Sequence, residues 1–354
     1  MPVSRRRLIA LGVVLLLVVA GVVAWVVTRG DDEDDAGRVE RAVAMAPEGT
    51  ARFGWTDWSG VRKRLDAHLS ASSPTADVEE FLAAGFDADL TSTSALGAST
   101  PILQERYGFS AATVDWELFA QGDEGAVVLI GLPESVDFDK VEDALAEIGY
   151  QEPNDDDGVW LGGPDLLATL GTVTQELAFV TIDRDHRVIA ASDEAETLES
   201  WRDEQRGFDL DDSISDATAE LEMSLSASIY TGDYACVALA MTQADDADRV
   251  RAAELISEAG EINPLRSYGI ASLANGDVRV AMGFESEDQA RTNADTRAQL
   301  AAGPAPGQGG AFPDRFELGE VTADGTVVSM DLEPVQAAYV QSDLANGPVL
   351  FATC

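Results

Sequence analysis

The apolar positions of this chain follow three different rhythms. Leu8–Val27 (LIALGVVLLLVVAGVVAWVV) is apolar without interruption. Twenty helical residues at ~1.5 Å each reach about 30 Å, the thickness of a bilayer's hydrocarbon core. The segment lacks the polar face that a buried helix of a globular domain carries, so residues 8–28 read as a transmembrane helix. Residues 29–44 are acidic and small with no apolar period, and read as a disordered tether. Residues 45–113 read as a short helical segment. Asp57 is placed to cap a helix through Leu69, Ser73-Pro74 is a start signal, and Thr100-Pro101 repeats it before Ile102–Tyr107.

From residue 114 the rhythm changes to pairs of strand-like runs followed by a helix. Val114–Ala120 and Ala126–Leu132 flank a Gly-containing turn, and Phe138, Val141, Leu145 and Ile148 then fall on one helical face. Leu177–Ile182 and Arg187–Ala191 flank Asp183–His186, with a helix from Asp193 to Gln205. Tyr268–Ala274 and Val278–Phe284 flank Asn275-Gly276, a type I′ signal, and Ser286 with Gln289 forms a capping box. Phe316–Thr322 and Thr326–Leu332 flank Asp324-Gly325, with Pro334 opening a last helix. Ser226–Met241, followed by a helix from Asp245 to Ala259, is a less regular version. The pattern predicts an α+β fold of antiparallel sheets built from repeated hairpin-helix units in two lobes, 114–206 and 207–354, with a charged seam at 206–216. Residues 114–206 and 267–346 each hold two units, which suggests an internal duplication.

Charge gives the span a direction. Arg5, Arg6 and Arg7 precede it, and every acidic residue follows it. The positive-inside rule puts residues 1–7 in the cytoplasm and the bulk of the chain outside, in a single-pass topology. The rival reading is a cleaved signal peptide. The apolar run is long for one, and Val22-Val23-Ala24 is a poor cleavage site with Trp25 after it. Ser4–Leu8 also resembles a twin-arginine export signal, although so hydrophobic a span suits the general secretory route better. All of these export the same domain. The formal net charge of −41 excludes nucleic acid as a partner, since phosphate must be neutralised by clustered Lys and Arg. The membrane (through the helix), an envelope protein or a small ligand remain as partners.

The Ala, Asp, Gly, Val and Arg bias, with Lys63 and Lys140 the only lysines, resembles uncharacterised single-pass membrane-anchored extracytoplasmic proteins of high-GC Gram-positive bacteria. The resemblance is compositional, spans the whole chain and carries no motif.

Candidate chemistry is sparse. Cys236 and Cys354, in an oxidising compartment, are candidates for a disulfide; the other reading is two unpaired thiols. Phe53, Trp55 and Trp58 form an aromatic knot that either packs the first helix onto the domain or offers a partner contact. His68 and His186 have no partner pattern and read as solvated. Four His and Cys residues in all argue against zinc. No Gly-x-Ser-x-Gly elbow, Ser-x-x-Lys or Cys-x-x-Cys occurs. The run at Asp31–Asp35 has Ala36 and Ala42 where a calcium loop needs Gly and Glu, and the run at Asn154–Gly158 has Pro153 and Pro164 at the first and twelfth positions. The Gly/Pro loop 303–310 lacks the strand, helix and Lys of a phosphate cradle. No cofactor and no catalytic residue is expected. The function read from the sequence is non-catalytic binding or interaction in the cell envelope. The alternative is a carboxylate-dependent hydrolase of envelope glycans, which needs two facing acids. Glu117 and Glu176, abutting apolar strand residues, are the least surface-like acids, though both read as lying on solvated faces.

Overall fold

Local turn chemistry places most of the strands. Gly276 takes φ +99° after Asn275 and closes one hairpin, and Gly325 at φ +54° closes another. These are backbone conformations that glycine adopts without steric cost. The computed structural model describes residues 37–155, 157–203, 208 and 212–354. The expected membrane span at 8–28, and the tether up to residue 36, lie outside the described residues. Among the described residues no helix is long and apolar enough to cross a membrane.

The fold is mixed α+β, built on one 11-stranded antiparallel sheet. Its strands are β1 (Thr50–Thr56), β2 (Trp116–Gly122), β3 (Gly125–Gly131), β4 (Trp160–Leu161), β5 (Phe179–Asp183) and β6 (Val188–Ser192). They continue with β7 (Ser224–Thr231), β8 (Ser267–Leu273), β9 (Val278–Gly283), β10 (Phe316–Asp324) and β11 (Val327–Pro334). Their order across the sheet is β10-β11-β9-β8-β7-β1-β2-β3-β6-β5-β4. Outward from the central β7–β1 pair, β1-β2-β3-β6-β5 on one side repeats the topology of β7-β8-β9-β11-β10 on the other.

Three expectations change here. The segment 45–113 opens with a strand: β1 pairs with β7 on one edge and β2 on the other. Its alternation of Arg52 and Gly54 with Phe53 and Trp55 is short and reads weakly in sequence, and its partners are remote. Second, that strand joins the two halves into one continuous sheet, and Val39–Cys354 forms one compact unit in place of two separate lobes. Third, residues 38–44 of the expected tether form a helix, Arg38–Ala44, with Val39, Ala42 and Val43 buried. The Glu222 carboxylate accepts its first N–H groups, from Val39 at 3.1 Å and Glu40 at 2.9 Å. Most of the expected seam at 206–216 lies outside the described residues.

Paired residues on neighbouring strands share a face, and this sorts the core. One face carries Phe53, Trp55, Leu118, Leu129, Ala190, Ile229 and Ala271 under Leu198 and Trp201. The opposite face carries two clusters. Val128, Ile130, Ile189 and Val180 pack under the helix Phe138–Ile148 at one end. Ile270, Val280, Met282, Val328 and Met330 pack with residues of the helix Glu287–Ala301 at the other. Between these clusters the central strands β7, β1 and β2 are bridged by loops.

Cys236 and Cys354 are joined by a disulfide that encloses 118 residues of sequence separation. The buried Arg297 guanidinium holds the same C-terminal segment. It donates to the carbonyls of Phe351 (2.7 Å), Thr353 (3.0 Å) and Asn263 (2.7 Å), and burial without a carboxylate partner pushes it down to about 9.

Candidate functional site

The floor of the site follows from strand pairing. Arg52 is opposite Tyr230, Gly54 is opposite Ser228, and on its other edge Gly54 is opposite Phe119. These five side-chain positions therefore lie on one face of β7, β1 and β2, the face that carries the two flanking clusters. Here the sheet presents small and polar residues. Above them lies a cavity of about 500 Å³. Residues 92–95, Thr174 and Glu176 wall it from one half, and Ser342, Ala345 and Asn346 from the other.

Each wall is fixed by a buried carboxylate. Glu117, fully buried on β2, accepts from Trp58 Nε1–H (2.8 Å), Ser94 Oγ–H (2.9 Å) and Ala95 N–H (2.7 Å). It thereby ties the 94–97 turn to the sheet. Burial pushes its carboxyl above the ordinary range, against the pull of those donors. Asp89, held at φ +56°, accepts from the backbone N–H of Gln341 (2.8 Å) and Ser342 (3.2 Å) and from the Ser342 hydroxyl. A carboxylate is well placed at the first turn of the helix Val340–Leu344, where unpaired N–H groups and the helix dipole favour negative charge. Burial raises its carboxyl too. The other end of the helix is held by Tyr230, whose hydroxyl donates to Ala345 O, and by Tyr268, which donates to Leu344 O at 3.2 Å. Burial raises Tyr230 to about 12, so it stays a donor at neutral pH.

The Thr93 loop rests directly on β1. A Cβ at Gly54 would sit 2.8 Å from Thr93 O, so glycine lets the loop approach and close the cavity. Arg52 lies in the floor with its guanidinium over the Phe119 ring, 5.4 Å from the centroid. Its Nε is buried and has no hydrogen-bond partner.

The residues singled out from sequence have definite places. Phe53, Trp55 and Trp58 are all buried, which corrects the partner-contact reading: the side chains pack into the sheet faces and present no surface to a partner. Trp55 stacks on Trp116 at 5.6 Å and Trp58 leans on Phe81 at 6.0 Å. Glu117 and Glu176 are buried too, against the solvated-face reading. The Trp58 and Ser94–Ala95 donors that draw Glu117 inward are 59, 23 and 22 residues away in sequence. His68 is exposed beside Asp66, and His186 Nδ1 lies 2.8 Å from Asp183 Oδ2. Among the described residues no group of three or more His, Cys, Asp or Glu side chains is placed to hold a metal ion. Arg52, Phe119, Ser228 and Asn346 were not legible as site residues. The one local hint is a charged residue among aromatics in Thr50–Thr56.

Fold and site together define an α+β domain with a ligand-sized cavity at the middle of its sheet. No known protein family matches the chain, and no curated protein matches it. Among solved structures, crystal form I of TP0453 resembles it with a TM-score of 0.40 and 8% identity, covering 86% of this chain and 96% of that one. Crystal form III of TP0453 gives a TM-score of 0.37 at 8% identity, covering 85% and 96%. A likeness this distant has no bearing on the chemistry of the cavity.

Proposed function

We propose that this chain is a membrane-anchored extracytoplasmic domain that binds a small ligand non-catalytically in the cell envelope, with the central cavity as its site. The observation that carries the reading is the cavity of about 500 Å³ over β7, β1 and β2 with Arg52 unpaired in its floor. A space of that size, between two packed clusters and walled by converging polar groups, has the form of a ligand site. The anchor is residues 8–28, with residues 1–7 cytoplasmic and the remainder outside. The Cys236–Cys354 disulfide supports export, because such bonds persist in oxidising compartments. The matching strand order of the two halves supports an origin by duplication, with the site at the junction.

The glycan-hydrolase alternative requires two carboxyls facing one another across a cleft. The cavity lining contributes one, Glu176, and Glu117 is committed to holding a wall.

The test is native mass spectrometry of the full chain, purified in detergent from an exporting host and compared with its denatured mass. A native surplus that disappears in Arg52→Met supports a ligand in this cavity. A surplus unchanged by Arg52→Met, or equal masses before and after incubation with envelope extract, rejects it.

A further inference from the structure

We infer that the cavity takes a small zwitterion, an amino acid or short peptide, with its carboxylate on Arg52 and its ammonium toward Glu176. The inference rests on the reading of the cavity as a ligand site and names the chemistry of what fills it.

Arg52 departs from the usage of the other buried and half-buried arginines among the described residues. Arg62, Arg187 and Arg297 donate to backbone carbonyls, and Arg184, Arg279 and Arg291 pair with carboxylates. Arg52 forms no ion pair or side-chain hydrogen bond among the described residues, in a chain with 64 acidic residues. Its one described side-chain contact is the Phe119 ring. Stacking occupies the face of a guanidinium and leaves its in-plane N–H fork free, and that fork matches a carboxylate in bidentate fashion.

Glu176 is the counterpart. It is buried in the same lining and its described side-chain bond comes from the Thr174 hydroxyl, which leaves acceptor capacity on the carboxylate. The two opposite charges share one cavity and do not pair with each other. Arg52 is half-buried and Glu176 buried, charges in such places gain from partners, and a ligand that brings both complements supplies both at once.

Net charge selects among ligand classes. A free anion approaching a protein of formal charge −41 meets long-range repulsion, and Glu176 would oppose it again inside. A free cation is opposed by Arg52. A zwitterion has no net charge to be repelled and matches both groups.

The test measures binding to the full chain in detergent by calorimetry. The zwitterionic probes are alanine and the dipeptide Ala-Ala. Acetate and ethylamine each carry one of the two charges, and glycerophosphoethanolamine, a net-neutral phosphodiester, stands for a lipid headgroup. Ala-Ala or alanine is expected to bind more tightly than acetate or ethylamine. Arg52→Met and Glu176→Gln should each weaken that binding about 10- to 100-fold, the range of one charge-assisted contact. Near-UV circular dichroism and Arg52→Lys, which keeps the charge, show whether a loss reflects misfolding. Glycerophosphoethanolamine binding better than Ala-Ala, with the same dependence on both residues, keeps the zwitterion and assigns it to a headgroup. Acetate binding as well as Ala-Ala, or Glu176→Gln leaving the affinity unchanged, overturns the zwitterion while the cavity reading stands. No binding of any probe overturns it too, and the native mass surplus then decides the cavity reading separately.

Discussion

Replacing Glu117 by leucine should destabilise the protein even though the site is wholly buried and apolar residues surround it. The carboxylate is the acceptor for Trp58 Nε1–H, Ser94 Oγ–H and Ala95 N–H at 2.7–2.9 Å. Leucine removes that acceptor and leaves the donors in place. Trp58 is fully buried and water has no access to its N–H. An orphaned buried donor costs about 1–3 kcal/mol. The buried Trp58 donor therefore costs about 1–3 kcal/mol, the half-buried Ala95 N–H adds less, and removal of the buried charge returns part of this. We expect a net loss of about 1–3 kcal/mol, read as a fall in the urea midpoint at unchanged slope. Trp58→Phe deletes the principal orphan, so the double variant should be more stable than the sum of the single losses by about 1–2 kcal/mol. Ligand binding should fall in parallel, since Ser94 and Ala95 wall the cavity. A Glu117→Leu protein as stable as the wild type, with no coupling to Trp58→Phe, would refute the argument that this carboxylate organises the wall.

Other outcomes follow from the same geometry. Burial raises Glu117 and Asp89 above the ordinary carboxyl range, so the folded state binds protons that the unfolded state has released. The stability these groups allow is present below the unfolded value of about 4 and is lost as pH rises through their raised folded values. Melting temperature should therefore fall as pH rises above the unfolded value of about 4, less steeply in Glu117→Gln; a rise there contradicts the assignment. Reducing the Cys236–Cys354 bond, which spans 118 residues, should cost about 4–5 kcal/mol on the loop-entropy model; urea unfolding with and without reductant measures it, and coincident curves reject it. Gly54→Val places a Cβ 2.8 Å from Thr93 O and should cost about 1–3 kcal/mol while displacing the loop over the cavity. Retained stability together with unchanged ligand affinity would show that the loop does not need this contact.

What the sequence determined by itself is what short-range chemistry decides. The hairpins β2–β3, β5–β6, β8–β9 and β10–β11 were legible because each turn and its flanking runs lie within a few residues. Asn275-Gly276 and Asp324-Gly325 select backbone conformations locally. Helix starts were legible for the same reason: Asp57 accepts from Gly60 N–H at 3.0 Å, and Ser286 from Gln289 N–H at 3.3 Å. The disulfide was open to sequence reasoning as one of two outcomes. The tertiary structure decided the rest. β1 bonds to strands whose residues lie about 65 and 175 positions away. No local pattern encodes such partners, so the merging of two expected lobes into one sheet was not visible in sequence. Burial of Glu117 and Asp89 depends on donors from segments remote in sequence, because a carboxylate enters a core only where those donors converge. The cavity has the same origin. Arg52, Phe119, Glu176 and Ser228 become one site only when the strand order places β7, β1 and β2 side by side, with residues 92–95 from one half and 342–346 from the other closed over them.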